Sequence, residues 1–320
     1  MSFRPKVIST FSGCGGSSLG YKMAGCEVLV AVEWDDNAVA TYRRNHPATA
    51  VVHGDISLLS IDKCLELAGL KEGQLDILDG SPPCQGFSMA GARKVADERN
   101  YLFKEYVRLL RGLKPKVFIM ENVPGMVVGK MKWIFAEIMR ELKESDYRVR
   151  AKVMNAQYYG VPQQRKRLIF IGVRKDLGLT PTFPLPQTMP IPLGRALKGL
   201  PVDPSTDIKK AQYLLWRRVR PGESFAKAHY KGSFFNSIKV SPAKPCPTIT
   251  KTPRQLYHWR YPRPLNVAEL KRAASYRDDY EFIGSDSQAW ERIGNSVPPL
   301  FMKAIAEHVI NNILKVEAIA

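Results

Sequence analysis

The sequence contains little cysteine and no long apolar run. Its five cysteines are odd in number and form no Cys-x-x-Cys pair, which argues against both a disulfide framework and a zinc site. We therefore expect a reducing, cytoplasmic location and no bound metal. No stretch approaches the roughly 20 apolar residues that span a bilayer, and the N-terminus lacks the apolar core of a signal peptide. We expect no membrane partner.

Acidic residues are also comparatively few. The chain has 30 Asp and Glu against 48 Lys and Arg, which gives a formal charge of +18 at pH 7. A charge of this size attracts polyanions, and nucleic acid is the first partner to consider. With 320 residues and 45% hydrophobic content, the chain can bury an ordinary core in one large domain or in one large and one small domain.

The first half of the chain alternates short apolar runs with amphipathic stretches. The apolar runs, which we predict to be strands, lie at residues 7–11, 27–32, 51–52, 75–78 and 117–120. Helical patterns lie between them at residues 17–23, 37–45 and 101–113. Two further strand candidates follow at residues 147–154 and 168–173. This alternation predicts an α/β fold with a doubly wound, mostly parallel sheet.

The composition changes after Arg174. Residues 174–265 contain 17 Lys or Arg against four Asp or Glu, and they hold 14 of the 23 prolines. Aromatic residues are interleaved with these charges, either as a small satellite core beneath a solvated basic face or as part of a surface that contacts nucleic acid. We predict a catalytic domain at 1–174, a smaller, basic, loop-rich domain at 175–265, and a return to the first domain at 266–320.

A single cysteine occupies an unusual loop at residues 80–88, which read Gly-Ser-Pro-Pro-Cys-Gln-Gly-Phe-Ser. The loop directly follows a predicted buried strand, at the edge where open α/β sheets place their reacting groups. The two prolines stiffen the backbone before Cys84. A free cysteine is often only a small core residue, but prolines before it and a polar run after it are not typical of a core position. Cys84 is therefore a candidate nucleophile.

Six further short motifs accompany this loop in a fixed order. They are Phe11-Ser-Gly-Cys-Gly-Gly16, Glu33-Trp34, Gly54-Asp55-Ile56, Glu121-Asn122-Val123, Gln164-Arg165-Lys166-Arg167 and Gly294-Asn295-Ser296-Val297-Pro298-Pro299. Each motif alone is a weak signal, because a glycine-rich turn after a strand occurs in many nucleotide-binding folds. In this order, and together with the Pro-Pro-Cys loop, they resemble the motifs of the cytosine-C5 DNA methyltransferase family.

The resemblance implies a DNA (cytosine-5-)-methyltransferase with a Rossmann-like fold that flips a target cytosine out of duplex DNA. Cytosine C5 is a poor nucleophile, so a thiolate such as that of Cys84 must first add to C6. Glu121, at the end of a neighbouring strand, is suited to bond N3 of the base as charge develops. Arg165 and Arg167 are candidates for holding the O2 edge and a phosphate, although simple strand-edge charges look the same in sequence.

The methyl donor that the family resemblance implies is S-adenosyl-L-methionine. The glycines allow the backbone to approach a ligand closely, and Glu33 is placed to accept hydrogen bonds from ribose hydroxyls. Trp34 can pack on the adenine, and Asp55 can accept a hydrogen bond from the exocyclic amine of the adenine. The predicted donor-binding residues are Phe11, Gly13, Gly15, Gly16, Glu33, Trp34, Asp55, Ile56, Pro83, Leu102, Asn295 and Ser296.

By position, residues 175–265 match the family's target recognition domain. Residues 85–100, which follow the nucleophile, are predicted to close over the flipped base. The predicted DNA contacts are Gln85, Ser88, Arg93, Arg217, Arg218 and Arg254. The expected partner is double-stranded DNA bound by a monomer, with or without a separate cognate restriction endonuclease. The enzyme would then serve in a restriction-modification system or as an orphan modification enzyme.

Two residues depart from the family pattern, and several alternatives stay open. Ala268 and Arg277 stand where the family usually has Arg and Pro, which puts the geometry beneath the recognition domain in doubt. A dinucleotide-dependent oxidoreductase would explain the glycine-rich turn but not the Pro-Pro-Cys loop. A tRNA-cytosine methyltransferase usually carries a Cys-Phe-Thr string, which this sequence lacks. A silent DNA-binding regulator would be expected to lose Cys84 or Glu121, and an amino-group methyltransferase usually has an aromatic residue in place of the cysteine.

Overall fold

The computed structural model describes residues 3–83, 101–127, 132–234 and 236–317. Contacts divide the chain into two compact units. Unit 1 comprises Met1–Met154, Lys166–Leu185 and Met302–Ala320, and unit 2 comprises Asn155–Arg165 and Pro186–Phe301. These bounds differ from those of the predicted domains, because 155–165 and 266–301 pack with the basic segment. The roles assigned to the predicted domains stay predictions.

Unit 1 contains a seven-stranded sheet with the order β3-β2-β1-β4-β5-β7-β6. Its strands are β1 (Lys6–Thr10), β2 (Glu27–Glu33), β3 (Ala50–His53), β4 (Ile77–Gly80), β5 (Val117–Asn122), β6 (Tyr147–Asn155) and β7 (Lys166–Arg174). The four pairings among β1 to β5 are parallel, and β5 pairs with β7 in antiparallel fashion. The predicted fold class is therefore confirmed. The order reverses between β1 and β4, which is where open α/β sheets bind ligands.

The three helices predicted for unit 1 are found as α1 (Gly16–Met23), α2 (Asp36–Asn45) and α4 (Tyr101–Leu113). Two further helices, α3 (Ile61–Ala68) and α5 (Lys132–Glu144), were not predicted. The apolar face of α4 packs against the core: Tyr106, Leu109, Leu110 and Leu113 are completely buried, and Leu102 is partly buried against the same cluster. Burial of strands on both faces explains why residues 117–120 of β5 and 168–173 of β7 form apolar runs.

Unit 2 contains short elements joined by long irregular segments. They are α6 (Leu193–Ala196), α7 (Lys210–Arg218), β8 (Ile238–Lys239), β9 (Leu256–Tyr257), α8 (Val267–Ala273) and α9 (Asp286–Asn295). Leu215, Val219, Phe225 and Tyr257 form a small buried cluster, so these aromatics do belong to a satellite core. The chain ends in α10 (Pro299–Val309), a π-helical turn (Ile310–Leu314) and α11 (Lys315–Glu317).

The two departures from the family pattern both lie near α8. Ala268 is exposed, and the neighbouring Glu269 instead receives two bonds from the buried guanidinium of Arg263, at 2.8 and 2.9 Å. Glu269 also closes a capping box with Asn266 at the start of the helix. Arg277 is exposed and pairs with Asp279. The carboxylate of Glu269 is thus satisfied without an arginine at position 268.

No helix among residues 3–83, 101–127, 132–234 and 236–317 is both long and apolar enough to cross a bilayer. In the same part of the chain Cys14, Cys26, Cys64 and Cys246 are buried and form no disulfide with one another. Burial raises the pKa of the Cys26 thiol to about 12 and that of the Cys64 thiol to about 11. These thiols are therefore protonated at neutral pH and behave as small core residues.

We predict that Gly172→Ala strongly destabilises unit 1. A Cβ atom at this position would lie 1.9 Å from Cε1 of Phe118, whose ring packs edge-on against Tyr106 and Tyr147 and has no room to move. Overpacking of this kind costs roughly 1–3 kcal/mol or more. The free energy of unfolding, measured in denaturant, should fall by that amount. Gly125→Ala, where no atom lies within 4 Å, is the control, and equal stability of the two variants would contradict the packing described.

Candidate active site

A cavity of about 410 Å³ opens at the carboxyl ends of the first four strands of unit 1. This volume lies in the range of small-molecule binding sites. The lining residues are Phe11, Val32, Glu33, Trp34, Gly54, Asp55, Ile56, Pro83 and Leu102. Seven of them were predicted from sequence to share one site, while Val32 and Gly54 were not singled out for it. The cavity brings together residues that are up to 91 positions apart in the chain.

The glycine-rich turn forms one wall of this cavity. Phe11 has a φ of +53°, and Gly13 and Gly15 have φ values of +53° and +93°. Left-handed backbone is easily adopted by glycine but is strained for an aromatic residue. The turn is held by the amide of Gly13, which donates to Oε2 of Glu33 at 2.7 Å. The strained backbone of Phe11 and the glycines at positions 13 and 15 are therefore all needed for the conformation of this turn.

The carboxylate of Glu33 is almost completely buried and is fixed by backbone donors. Its Oε1 accepts from the amides of Trp34 and Asp35 at 2.9 and 3.0 Å, while its Oε2 accepts from Gly13. Sequence analysis did not predict this bracing role, because the partners lie as many as 20 residues away. A carboxylate offers about four lone-pair sites, so Oε2 keeps capacity for a further donor in the cavity.

Two exposed side chains frame the mouth of the cavity. Trp34 is 75% exposed, which is unusual for the largest apolar side chain unless a partner covers it. Asp55 is exposed, and its Oδ1 accepts from the amide of Ser57 at 2.9 Å. An aromatic face and two carboxylates thus surround a largely apolar cavity.

The end of β4 is held from both sides by neighbouring strands. The hydroxyl of Thr10 donates to the carbonyl of Asp79 at 3.0 Å, and that of Ser81 donates to the carbonyl of Phe11 at 3.3 Å. From β5, the Asn122 amide donates to the carbonyl of Pro82 at 3.2 Å. These bonds fix the backbone up to Pro82. The predicted residues Cys84, Gln85, Ser88 and Arg93 lie outside the described part of the chain.

Gly80 shows how closely this strand end is packed. A Cβ atom at that position would lie 2.5 Å from Oγ1 of Thr10 and 2.6 Å from Cε2 of Tyr106. Any larger residue would therefore have to displace β4 or its neighbours. The glycine before the Pro-Pro-Cys loop is required for packing rather than for a special backbone conformation.

An ion pair lies at the end of β5. Nε of Arg167 is 2.5 Å from Oε1 of Glu121, and both side chains are about one-eighth exposed. The pairing of β5 with β7 places Glu121 opposite Ile169, so that Arg167, two residues earlier, shares its face. Glu121 and Arg167, 46 residues apart in sequence, are thus brought together as predicted candidates of one site.

Arg165 has a different environment from Arg167. It belongs to unit 2 and is 2% exposed. Its two terminal nitrogens donate to the carbonyls of Ile249 and Gly294, both at 2.8 Å. These bonds join three distant segments of unit 2. The predicted contact of Arg165 with the base or a phosphate stays a prediction, but the observed bonds give this arginine a structural task that the sequence did not reveal.

The last predicted cavity residues, Asn295 and Ser296, also lie in unit 2. Asn295 is the exposed final residue of α9, and the hydroxyl of Ser296 donates to the carbonyl of Ile293 at 2.9 Å. Before them, Gly294 has no space for a side chain, since a Cβ atom would lie 2.2 Å from the carbonyl oxygen of Thr250. Their predicted contact with a ligand stays a prediction.

The basic candidates of unit 2 fall into two kinds. Arg217 and Arg218 are exposed in the last turn of α7, and the Arg217 guanidinium lies 6.0 Å from the centre of the Tyr213 ring. Arg254, in contrast, donates to both carboxylate oxygens of Asp207, at 2.7 and 2.9 Å. The charge of Arg254 is therefore partly compensated within unit 2, whereas Arg217 and Arg218 project from the surface.

Comparison with known proteins identifies the family. Residues 5–311 match the model of the C-5 cytosine-specific DNA methylase family. The chain is 36% identical to the Type II methyltransferase M1.HphI of Haemophilus parahaemolyticus, covering 95% of this chain and 86% of that protein. It is 32% identical to M.XorII of Xanthomonas oryzae, covering 98% and 86%.

Solved structures agree with this match. A putative DNA modification methyltransferase encoded within a prophage of E. coli has a TM-score of 0.81 at 27% identity, covering 97% of this chain and 99% of that chain. The Dnmt2 methyltransferase of S. pombe has a TM-score of 0.70 at 18% identity, which supports the fold alone. The chain belongs to the C-5 cytosine-specific DNA methylase family and is a DNA (cytosine-5-)-methyltransferase.

Proposed function

We propose that this enzyme flips a target cytosine out of duplex DNA and methylates C5 from S-adenosyl-L-methionine through a covalent Cys84 adduct. The observation that carries the proposal is the ion pair of Glu121 and Arg167. This pair lies at the end of β5, beside the braced end of β4 that leads to Cys84. A carboxyl group, a guanidinium and the approach to a thiol thus share one edge of the sheet.

The cavity of unit 1 fits the adenosyl part of the proposed donor. Trp34 offers an exposed ring for an adenine, Asp55 can accept from its amine, and Oε2 of Glu33 can accept from a ribose hydroxyl. Ile56, Pro83 and Leu102 supply apolar contacts. When bound, the sulfonium supplies an activated methyl group and leaves as S-adenosylhomocysteine. Asn295 and Ser296 stay proposed contacts of the same ligand.

The proposed chemistry uses three side chains of this chain. The Cys84 thiolate adds to C6 of the cytosine, which moves an electron pair onto C5 so that C5 takes up the methyl group. The carboxyl group of Glu121, in its protonated form, donates a hydrogen bond to N3 and so stabilises the charge that develops on the ring. Arg167 orients Glu121 while its remaining donors hold O2 of the base. Loss of the C5 proton to a base then expels the Cys84 thiolate and restores the aromatic ring.

Access to C5 and C6 requires extrusion of the base, which costs a few kcal/mol. We propose that exposed cations of unit 2, in particular Arg217 and Arg218, offset this cost by neutralising phosphates. Residues 85–100, with Gln85, Ser88 and Arg93, are proposed to close over the flipped base. We expect Arg254 to contribute less to phosphate binding, because its guanidinium already pairs with Asp207.

The names of the relatives suggest a biological setting. M1.HphI and M.XorII are both named Type II methyltransferases, so we propose that this enzyme modifies one short DNA sequence within a restriction-modification system. A separate cognate endonuclease would then cut the same sequence when it is unmodified. We expect the methyltransferase to act as a monomer.

Bisulfite sequencing of plasmid DNA from a host that expresses the chain tests the proposed function directly. One cytosine within one short sequence should resist conversion on every copy of the plasmid. Cys84→Ser, expressed equally, is the matched control and should give complete conversion. Bisulfite sequencing of total RNA from the same cells tests the alternative: protected cytosines in RNA with unmodified plasmid would refute the proposal.

We predict that substitution of Arg165 mainly affects stability and that substitution of Arg167 mainly affects catalysis. Arg165→Met should lower the free energy of unfolding by about 2–6 kcal/mol, because two buried carbonyls lose their donors at about 1–3 kcal/mol each. Arg167→Gln should destabilise less but lower kcat at least 100-fold, because it removes an electrostatic contact to the reacting base. Denaturant unfolding and single-turnover methylation distinguish them. Retention of near-normal kcat in Arg167→Gln would contradict the proposed site.

We predict that Arg217→Ala combined with Arg218→Ala weakens binding to all duplex sequences alike. The slope of log K against log salt concentration should become shallower by roughly 0.9 for each phosphate that the variant no longer neutralises. Fluorescence anisotropy with cognate and non-cognate duplexes measures both quantities. Arg150→Ala, which removes an exposed cation of β6 in unit 1, is the control. Weaker binding of the cognate duplex alone would show that these arginines read bases.

A further inference from the structure

A buried carboxyl group beneath the candidate site has no part in the proposed chemistry. Asp79 is 4% exposed and lies in β4, two residues before Ser81. Its partners across the sheet are Ser9 in β1 and Ile119 in β5. Asp79 does not line the cavity among the described residues. A buried carboxyl is costly unless its oxygens are bonded, so its partners indicate what it does.

Two hydroxyl groups from different elements bond the Asp79 carboxyl. The Ser9 hydroxyl donates to Oδ2 at 2.8 Å, and the Tyr21 hydroxyl donates to Oδ1 at 3.1 Å. Ser9 belongs to β1, and Tyr21 belongs to α1 and is completely buried. The carboxyl therefore connects the strand that leads to the catalytic loop with the strand and the helix on either side of the glycine-rich turn.

This connection extends to a second helix. The Tyr42 hydroxyl of α2 donates to the hydroxyl of Ser18, which lies on α1 three residues before Tyr21, at 2.8 Å. Helix α1 has Gly15 as its N-cap, so its position sets that of the turn from Phe11 to Gly16. Because buried hydroxyl networks in a low-dielectric interior are rigid when fully bonded, a change at Asp79 is transmitted to one wall of the cavity.

The surroundings of Asp79 contain several titratable groups. Tyr21 and Tyr42 face it from α1 and α2, Tyr106 lies on α4, and Glu121 lies on β5. Burial raises the pKa of Asp79 to about 7, the bonds from Ser9 and Tyr21 oppose that rise, and the negative charge of Glu121 adds to it. The carboxyl is thus a sensitive element of the network near neutral pH.

We propose that Asp79 is a positioning residue for the methyl donor: by bonding Ser9 and Tyr21 it fixes the glycine-rich turn against the strand that carries the catalytic loop. The proposal rests on the proposed function, since the donor cavity is its target. Asp79 acts through α1 and touches neither the base nor the donor. Loss of its hydrogen bonds should therefore weaken donor binding and should have little effect on the parts of unit 1 that lie far from the cavity.

Calorimetric titration with S-adenosylhomocysteine tests the proposal without requiring turnover. Asp79→Leu leaves both hydroxyls without their acceptor and should weaken binding at least tenfold. Tyr21→Phe removes one bond and should weaken it at least threefold. Asp79→Asn keeps an acceptor for one hydroxyl and a donor for the other, so its affinity should stay within threefold of wild type. Rescue by Asn separates bonding from mere occupancy of the space.

Tyr147→Phe is the matched control. Tyr147 is likewise a buried tyrosine, and its hydroxyl donates to the carbonyl of Pro115 at 2.7 Å, before the start of β5 and away from the cavity. It should lower the melting temperature about as much as Tyr21→Phe and leave donor affinity within twofold. If Tyr21→Phe also leaves affinity unchanged, the proposal is overturned. If the wild type does not bind S-adenosylhomocysteine, the proposed function itself fails. Should Asp79→Leu not fold, Tyr21→Phe and Asp79→Asn still decide.

The melting temperature of the protein should also depend on pH, because Asp79 titrates in the folded state. A carboxyl whose pKa is raised in the folded state stabilises below its unfolded pKa, and this contribution is lost as the pH rises through the folded value. The melting temperature of wild type relative to Asp79→Asn should therefore fall between pH 4 and pH 8, with most of the loss complete just above pH 7. A constant difference would contradict the raised pKa of Asp79, whereas the positioning role is decided by the donor affinities of the variants.

Discussion

The hydrogen bonds at the end of β4 are the constraint on which the site depends. Thr10 and Ser81 tie this strand end to β1, and Asn122 ties it to β5. Parallel strands of an α/β sheet place their carboxyl ends at one edge, but that alone leaves the loops free to diverge. Because side chains bond the carbonyls of Asp79 and Pro82, the backbone is held in place up to Pro82, two residues before Cys84.

Two groups of residues lie side by side at this edge of the sheet in unit 1. The ends of β1, β2 and β3 surround the cavity, where Glu33 uses three of its bonds on backbone amides and so shapes the glycine-rich turn. The end of β5 and the start of β7 carry the ion pair of Glu121 and Arg167, and the end of β4 leads toward Cys84. Asp79 lies beneath both groups, and its bonds to Ser9 and Tyr21 cross the division. We propose that donor binding and base activation are linked through this one buried carboxyl.

The sequence predicted the sheet and three helices of unit 1, because apolar runs and amphipathic stretches are local signals. The family resemblance grouped seven of the residues that line the cavity. The sequence did not separate Arg165 from Arg167. The two residues alternate as in a strand, yet β7 begins at Lys166, and Arg165 is buried in unit 2 on carbonyls 84 and 129 residues away. The pairing of Arg254 with Asp207 and the bracing by Glu33 escaped prediction for the same reason, since only the folded chain brings those partners together.

Mass spectrometry of a trapped complex tests the central claim most directly. Duplex DNA with 5-fluorocytosine at the modified position is incubated with enzyme and S-adenosyl-L-methionine, and the denatured complex is digested and sequenced. Since fluorine at C5 is not lost as a proton is, the bond from the thiol to C6 should persist after methyl transfer. The account predicts one DNA-linked peptide, joined at Cys84 and absent from Cys84→Ser. A link through another residue, or an active wild-type enzyme that forms no such complex, would contradict it.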